Sequence, residues 1–403
     1  MANTNLTHQM IAREAAKILA EEAPFIMNIN RGRQDEFGEA VNGYQKGQTV
    51  KIKIPPTGAV FDGAVFAGGG AATDSAEQSV DLTLDTQKHI ALQFGAKEKL
   101  LELTDFRERI LRPQMQTLSS VVEADLMRKA LGGVPNLVGT PGTVPSVMKT
   151  YAQARARMNN FLTPVGERTV CFSSDANTEL VDSSRQLFNP KAAIERGFLR
   201  GDIGEAQGAM FYEHQSMPVQ TNGSQATGFT VNGAGQSGSV LAVAGLTAAA
   251  TLTKGQVFTI AGVFAVHPLT GIATNQLQQF VVTADFTAGG VTGSINIFPG
   301  IKATGPNKTV SAAPANGAVV TLVGAASTSY RQNLMFHKDA FTAAFAPLPV
   351  LASCEGYTAR LPNGVSVRVM TFGDGNNDYE RTRIDVLYGF TVVRGLHAAR
   401  ITE

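Results

Sequence analysis

The chain has 403 residues, 43% hydrophobic and 17% charged, with a formal net charge of +1. That is apolar material for two or three compact units, and the charge balance argues against a dedicated nucleic-acid binder, which carries a concentrated basic face. Charge below the usual quarter or so fits either surface hidden in subunit contacts or a stable monomer with a polar, uncharged surface.

Cys171 and Cys354 belong to no metal or redox spacing and form no disulfide framework, so synthesis in a reducing cytosol is expected. The first residues do not read as a secretory signal. No apolar run approaches the roughly 20 residues of a membrane span.

Residues 5–22 read as an amphipathic helix, with Met10, Ile11, Ala15, Ile18 and Leu19 near helical spacing and Pro24 as its stop. A helix so near a terminus has little core of its own, so its stripe needs a partner surface, in the same chain or in a neighbouring subunit. In residues 37–94, Val50, Ile52 and Ile54 alternate with Lys51 and Lys53, and Val80, Leu82 and Leu84 alternate with Asp81, Thr83 and Asp85. With Gly68, Gly69 and Gly70 as a flexible tip, this predicts a long extended hairpin. A two-stranded ribbon is marginal alone, and a neighbouring molecule is the candidate cover.

Asp105 with Glu108 resembles a capping box. Met115, Leu118, Val122 and Leu126 then carry a helix to Gly132-Gly133, with Pro113 opening a second segment or kinking one continuous helix. After a Pro/Gly loop at 133–145, Val147, Tyr151, Ala154 and Met158 mark another helix, stopped by Pro164. Residues 169–172 read as a buried strand, 176–188 as a helix and 209–212 as a strand.

Residues 221–328 change character. Lys254, Asp285, Lys302 and Lys308 are their only charges, and short β-type runs at 256–260, 279–283, 294–298 and 318–323 alternate with glycine turns. The pattern predicts a small barrel or sandwich inserted into an α+β parent, its two ends close together on the parent surface. Beyond it, 333–336 reads as a strand, 338–345 as a short helix, and 365–370 and 384–393 as strands.

No motif carries chemistry. Gly233, Gly235 and Gly238 match the dinucleotide fingerprint, but no acid appears until Asp285 and the following run is broken by glycine and threonine, so a loop is the better account. Residues 374–378 open like a calcium loop, but Tyr379 stands where glycine is needed and Asp385 where a bidentate glutamate is needed. Ser239 replaces the second glycine of a nucleophile elbow. His8, His89, His214, His267, His337 and His397 are scattered without ligand spacing, and Glu213-His214 reads as structural. No enzyme activity, cofactor or metal is assigned.

Several stretches resemble the major capsid proteins of tailed bacteriophages, which share the Hong Kong 97 fold, and within them the coat proteins of short-tailed temperate phages of the P22 type with an inserted β-barrel domain. These are Phe94-Gly95-Ala96-Lys97 leading into the 103–131 helix, Asn189-Pro190 through Glu195-Arg196-Gly197, Gly201-Asp202-Ile203-Gly204, Asn333-Leu334-Met335-Phe336 with Asp339-Ala340-Phe341, and Arg383-Ile384-Asp385-Val386. The resemblance implies an N-terminal arm at 1–36, an extended loop at 37–94, a peripheral domain with spine helix at 95–145, an axial domain at 146–220, an insertion domain at 221–328 and a return segment at 329–403. It implies self-assembly into pentamers and hexamers of an icosahedral shell, with a scaffolding protein, a portal protein and packaged double-stranded DNA as partners, and leaves open whether a decoration protein binds. It places the chain in the virion after assembly in the host cytoplasm. Met10, Ile11, Ile18, Val50, Ile52, Ile54, Gly68, Gly69 and Gly70 are then the expected subunit interface, and Glu14, Glu21 and Glu22 the expected scaffold contact. Lysine–asparagine crosslinking through Lys51 or Lys53 and Asn42, which some capsid proteins use, is not expected of this type. An encapsulin-type compartment and a surface fibre or adhesin are the competing readings.

Overall fold

The computed structural model describes residues 8–21, 23–32, 49–55, 78–94, 110–184, 203–305, 307–362, 364–374 and 379–403. The expected hairpin tip at Gly68 to Gly70, the capping box of Asp105 and Glu108, the 189–201 stretches, Glu22, Asn42 and most of the 374–378 turn lie outside them.

In chain order the elements begin with helices α1 (His8–Glu21) and α2 (Pro24–Asn28), then strands β1 (Thr49–Ile54), β2 (Gln78–Thr83) and β3 (Thr86–Phe94), helix α3 (Arg112–Leu131) and strand β4 (Leu137–Val138). Helix α4 (Met148–Asn160), strand β5 (Arg168–Phe172), helix α5 (Ser174–Ser184) and strands β6 (Glu205–Ala206), β7 (Ala209–Glu213) and β8 (Val219–Thr221) follow. Next come β9 (Thr230–Val231), β10 (Gly238–Ala244), β11 (Thr251–Leu252), β12 (Val257–Val266), β13 (Ala273–Val282), β14 (Phe286–Thr287), β15 (Thr292–Ile301) and β16 (Val320–Leu322). The last are β17 (Ser329–His337), β18 (Phe341–Ala346), β19 (Glu355–Arg360), β20 (Ser366–Asp374), β21 (Tyr379–Val392) and β22 (Ala398–Thr402). The chain forms two compact units, one of residues 1–52, 80–127 and 341–393, the other of 53–79, 128–340 and 394–403.

In the first unit β21 is the central strand. It pairs with β3 along one edge and with β20 and then β18 along the other, while β19 extends the sheet beyond β20. Helix α1 lies on β19 and β20 with Ala12, Ala15, Ala16, Ile18 and Leu19 buried at helical spacing. Of the two covers open to the arm's stripe, its own chain supplies this one, and Ile18, expected at the subunit interface, is buried within it. Pro24 does more than stop α1: it occupies the first turn of α2, where a missing N–H costs nothing. Past α2, Asn30 joins the edge of β18, donating to Phe341 O (3.1 Å) and accepting from Ala343 N (3.0 Å). Phe25, Phe341 and Phe390 pack there, with ring centroids 5.8 to 6.5 Å apart. The base of the ribbon is also covered at home: Ile52, Leu82 and Leu84 share a core with Ala344, Ala346 and Leu387.

Residues 338–345 are not a helix. A 3-10 turn at Lys338–Ala340 gives way to β18, buried throughout, because pairing with β21 outweighs the helix propensity of alanine. Helix α3 begins with Pro113 in its first turn and buries Met115, Leu118, Val122 and Leu126 as the spacing predicts.

The second unit holds a sheet of order β4-β22-β17-β5-β7-β6, with β8 also on β17. Its core gathers Tyr151 and Met158 from α4, Ala176 and Leu180 from α5, and Val170, Phe172, Phe211, Met335 and Ile401 from the strands. Residues 221–328 leave this sheet and return to it side by side: Thr221 faces Ser329 in register, and Asn222 N donates to Thr328 O at 3.0 Å. Between these ends lies a six-stranded sheet of order β16-β12-β13-β15-β10-β9. A bridge between Thr230 and Val319, with Val231 N donating to Ala318 O and Val320 N to Phe229 O, joins its first strand to its last. The sheet is thus a closed barrel, which leaves no unpaired edge. Its interior is aliphatic and aromatic, with Phe258 stacked on Phe280 (5.6 Å) amid Leu241, Val243, Ile260, Ile295 and Val320.

Candidate assembly surface

The expected interface residues divide by exposure. Ile18 and Ile52 are 2% and 3% exposed, enclosed by their own chain, so they are withdrawn from the surface. Met10, Ile11, Val50 and Ile54 are half-buried, and Lys51 and Lys53 beside them are exposed. Of the expected scaffold contact, Glu14 pairs with Lys17 one helical turn on (3.1 Å), while Glu21 is exposed. On the barrel, Leu269, Ile272 and Val291 stand 65 to 69% exposed.

Buried polar groups fix the elements that carry these surfaces. Helix α2 lacks a side-chain cap of its own, and Glu123 of α3 takes that part, accepting from Phe25 N (2.8 Å) and Ile26 N (3.3 Å). Tyr388 donates to Asp125 at 2.8 Å. Asp385, with a side chain 0% exposed, receives Arg368 Nη2 (2.9 Å), Arg383 Nε (2.7 Å) and Gln87 Nε2 (3.1 Å), tying β20, β21 and β3 together. Sequence reading missed this node. Its signal was an acid set between Ile384 and Val386 in an apolar strand. Those same bonds occupy Asp385, so it is not the closing ligand of a calcium loop.

The other motifs also resolve into structure. Gly238 opens β10 rather than a helix, and Gly233 N and Gly235 N donate to Asn316 Oδ1 and Pro314 O, so no anion cradle forms there. Glu213 accepts from Ser174 Oγ and Asn177 Nδ2 at the start of α5, and His214 Nδ1 accepts from Ser216 N. His397 and His337 meet edge to face (6.4 Å). Burial, then Arg394 and His337, pull the His397 pKa down to about 4. His337 is lowered as well, chiefly by burial. Among the described residues no group of His, Cys, Asp or Glu is placed to hold a metal, and no helix is long and apolar enough to cross a membrane.

Comparison with known proteins adds a family. The family model described as P22 coat protein - gene protein 5 matches residues 38–398. No curated protein matches the chain. Among solved structures, Mycobacterium phage Che8 is 12% identical and covers 93% of this chain and 89% of its own, at a TM-score of 0.46. The mature capsid of bacteriophage PhiM1 is 10% identical, covering 90% and 83% at 0.43. The acidic stable capsid of Helicobacter pylori bacteriophage KHP30 is 10% identical, covering 94% and 90% at 0.43.

Proposed function

This chain belongs to the P22 coat protein family, so it is a phage major capsid protein of the virion that assembles with copies of itself into an icosahedral shell; from that premise we propose how its parts divide the work. The family match over residues 38–398 carries the reading. We take the α+β architecture to be of the Hong Kong 97 type. Residues 1–36 are then the arm, 37–94 the extended loop, 95–145 the peripheral domain, 146–220 the first part of the axial domain, 221–328 the insertion domain and 329–403 the return segment, shared between axial and peripheral domains. Head-to-tail contacts between copies close rings of five and six. Each contact is weak, and each subunit makes several, so avidity over the shell supplies the stability.

Met10, Ile11, Val50 and Ile54, half-buried within one copy, are the apolar part of those contacts, and Gly68, Gly69 and Gly70 are assigned to the same interface. Glu14, Glu21 and Glu22 offer an acidic face to a scaffolding protein during assembly in the host cytoplasm. The completed shell holds double-stranded DNA without reading its sequence, which a net charge of +1 allows, and it meets a portal protein. The proposed role is structural, with no catalytic step.

Electron microscopy of the purified protein tests the assembly: closed icosahedral shells are expected, and fibres or unassembled monomers contradict it. Glu14→Lys with Glu21→Lys should impair scaffold-dependent assembly; unchanged yield and shell size remove the scaffold contact. Residues 221–328 expressed alone should give a β-rich spectrum, and a random-coil spectrum at neutral pH counts against an autonomous insertion domain.

A further inference from the structure

Three arginines are buried among the described residues. Arg168 gives Nε to Pro164 O (2.8 Å) and Nη2 to Thr163 O (2.6 Å), and the other two, Arg368 and Arg400, differ at one point. Arg368 gives Nη1 to Pro349 O at 2.7 Å and turns its Nε–Nη2 edge to Asp385 (3.3 and 2.9 Å). Arg400, in the middle of β22, gives Nη1 to Gly255 O, also at 2.7 Å, but its Nε and Nη2 have no partner among the described residues. The side chain is 0% exposed and flanked by β17 and β4.

The Nε–Nη2 edge is the fork with which guanidinium takes an anion side-on. In Arg368 a carboxylate fills it; around Arg400 no described carboxylate does so. Asp285, on the adjoining turn, is exposed and accepts from Lys254 N. One residue past Gly255, Gln256 Nε2 is a second buried donor without a partner. Arg400 stays charged: burial lowers its pKa only to about 9, well above neutrality. An uncompensated charge enclosed in protein is strongly disfavoured.

We propose that the Nε–Nη2 edge of Arg400 is the seat of a small monovalent anion, a halide or nitrate, held inside the second unit beside the barrel turn at Gly255. Full enclosure sets the size of the ligand, because a side chain of another protein cannot reach the guanidinium while a diffusible ion can enter when the turn opens. The anion compensates the charge of a residue that links β22 to the turn between β11 and β12. The neighbouring acceptor Asn136 Oδ1 is also unpartnered, and its backbone oxygen takes Arg400 N at 2.7 Å. A water bridging Asn136 Oδ1 to the guanidinium is therefore the competing occupant.

Crystals of the full chain grown in sodium bromide should show an anomalous peak within hydrogen-bond distance of Arg400 Nε and Nη2. At constant ionic strength, replacing sodium gluconate with sodium chloride should raise the thermal midpoint of the full chain progressively. Arg400→Met, which removes the charge while filling its volume, should abolish that rise. A water without anomalous signal at the site overturns the proposal, as does a wild-type midpoint indifferent to halide, and neither observation depends on the variant folding.

Discussion

The sheet of the first unit and the barrel of the second solve the same problem by opposite means. The first sheet is assembled from distant segments, β3 and β18 to β21, and fastened by buried charges: Asp385 under Arg368 and Arg383, and Glu123 at the start of α2. The barrel comes from one continuous stretch almost without charge, and closes its own ladder over an apolar core. Where pieces come from far apart in sequence, charged hydrogen bonds specify which piece goes where. A ladder that closes on itself needs no such key, because register and burial already determine it.

The sharpest way to break this contrast is to remove the key. Asp385→Ala should cost about 3–5 kcal/mol, since it strands buried Arg368 and half-buried Arg383 together. Urea denaturation reads the loss, and a cost below about 1 kcal/mol would mean that the sheet does not rely on its charges. In the barrel the matching sensitivity should be apolar: Phe280→Ala opens a cavity against Phe258 and should cost about 3–5 kcal/mol by the same measurement.

Acid should find a third weakness. His397 is held below its unfolded pKa of 6.5, at about 4, so the unfolded chain binds the extra proton first. Its stabilising contribution is complete above about pH 6.5 and is lost as pH falls toward about 4, on the order of 3 kcal/mol in all. Thermal midpoints measured across that interval should fall, and His397→Gln should flatten the slope. Glu123→Gln keeps one acceptor for the start of α2 and should cost about 1–2 kcal/mol. Smallest of all, Asp285→Ala removes an exposed acceptor from Lys254 N and should cost about 1 kcal/mol or less. A loss as large as that of Asp385→Ala would erase the distinction between the two regions.

Much of this was legible in the chain itself. The stripe Met115, Leu118, Val122 and Leu126 located the long helix, and the β-type runs at 256–260 and 294–298 fell on strands β12 and β15. Other parts were not. Ile18 and Ile52 read as surface in want of a partner because periodicity reports that a face is apolar without saying what covers it. Residues 338–345 read as helix because alanine propensity is local and the β21 ladder is not. The ion-pair role of Asp385 was not legible, since its worth lies in Arg368, brought opposite by the register of β20 on β21.

Sequence alone determined the kinds of most elements and the family resemblance, because periodicity, turn residues and short motifs act within a few neighbouring positions. Tertiary structure alone decided that the arm helix and ribbon base are covered by their own chain, that the barrel closes through Thr230 and Val319, and that Arg368 has a carboxylate where Arg400 has none among the described residues. Each of these turns on residues far apart in the chain meeting within a few ångströms, and no local pattern encodes such a meeting.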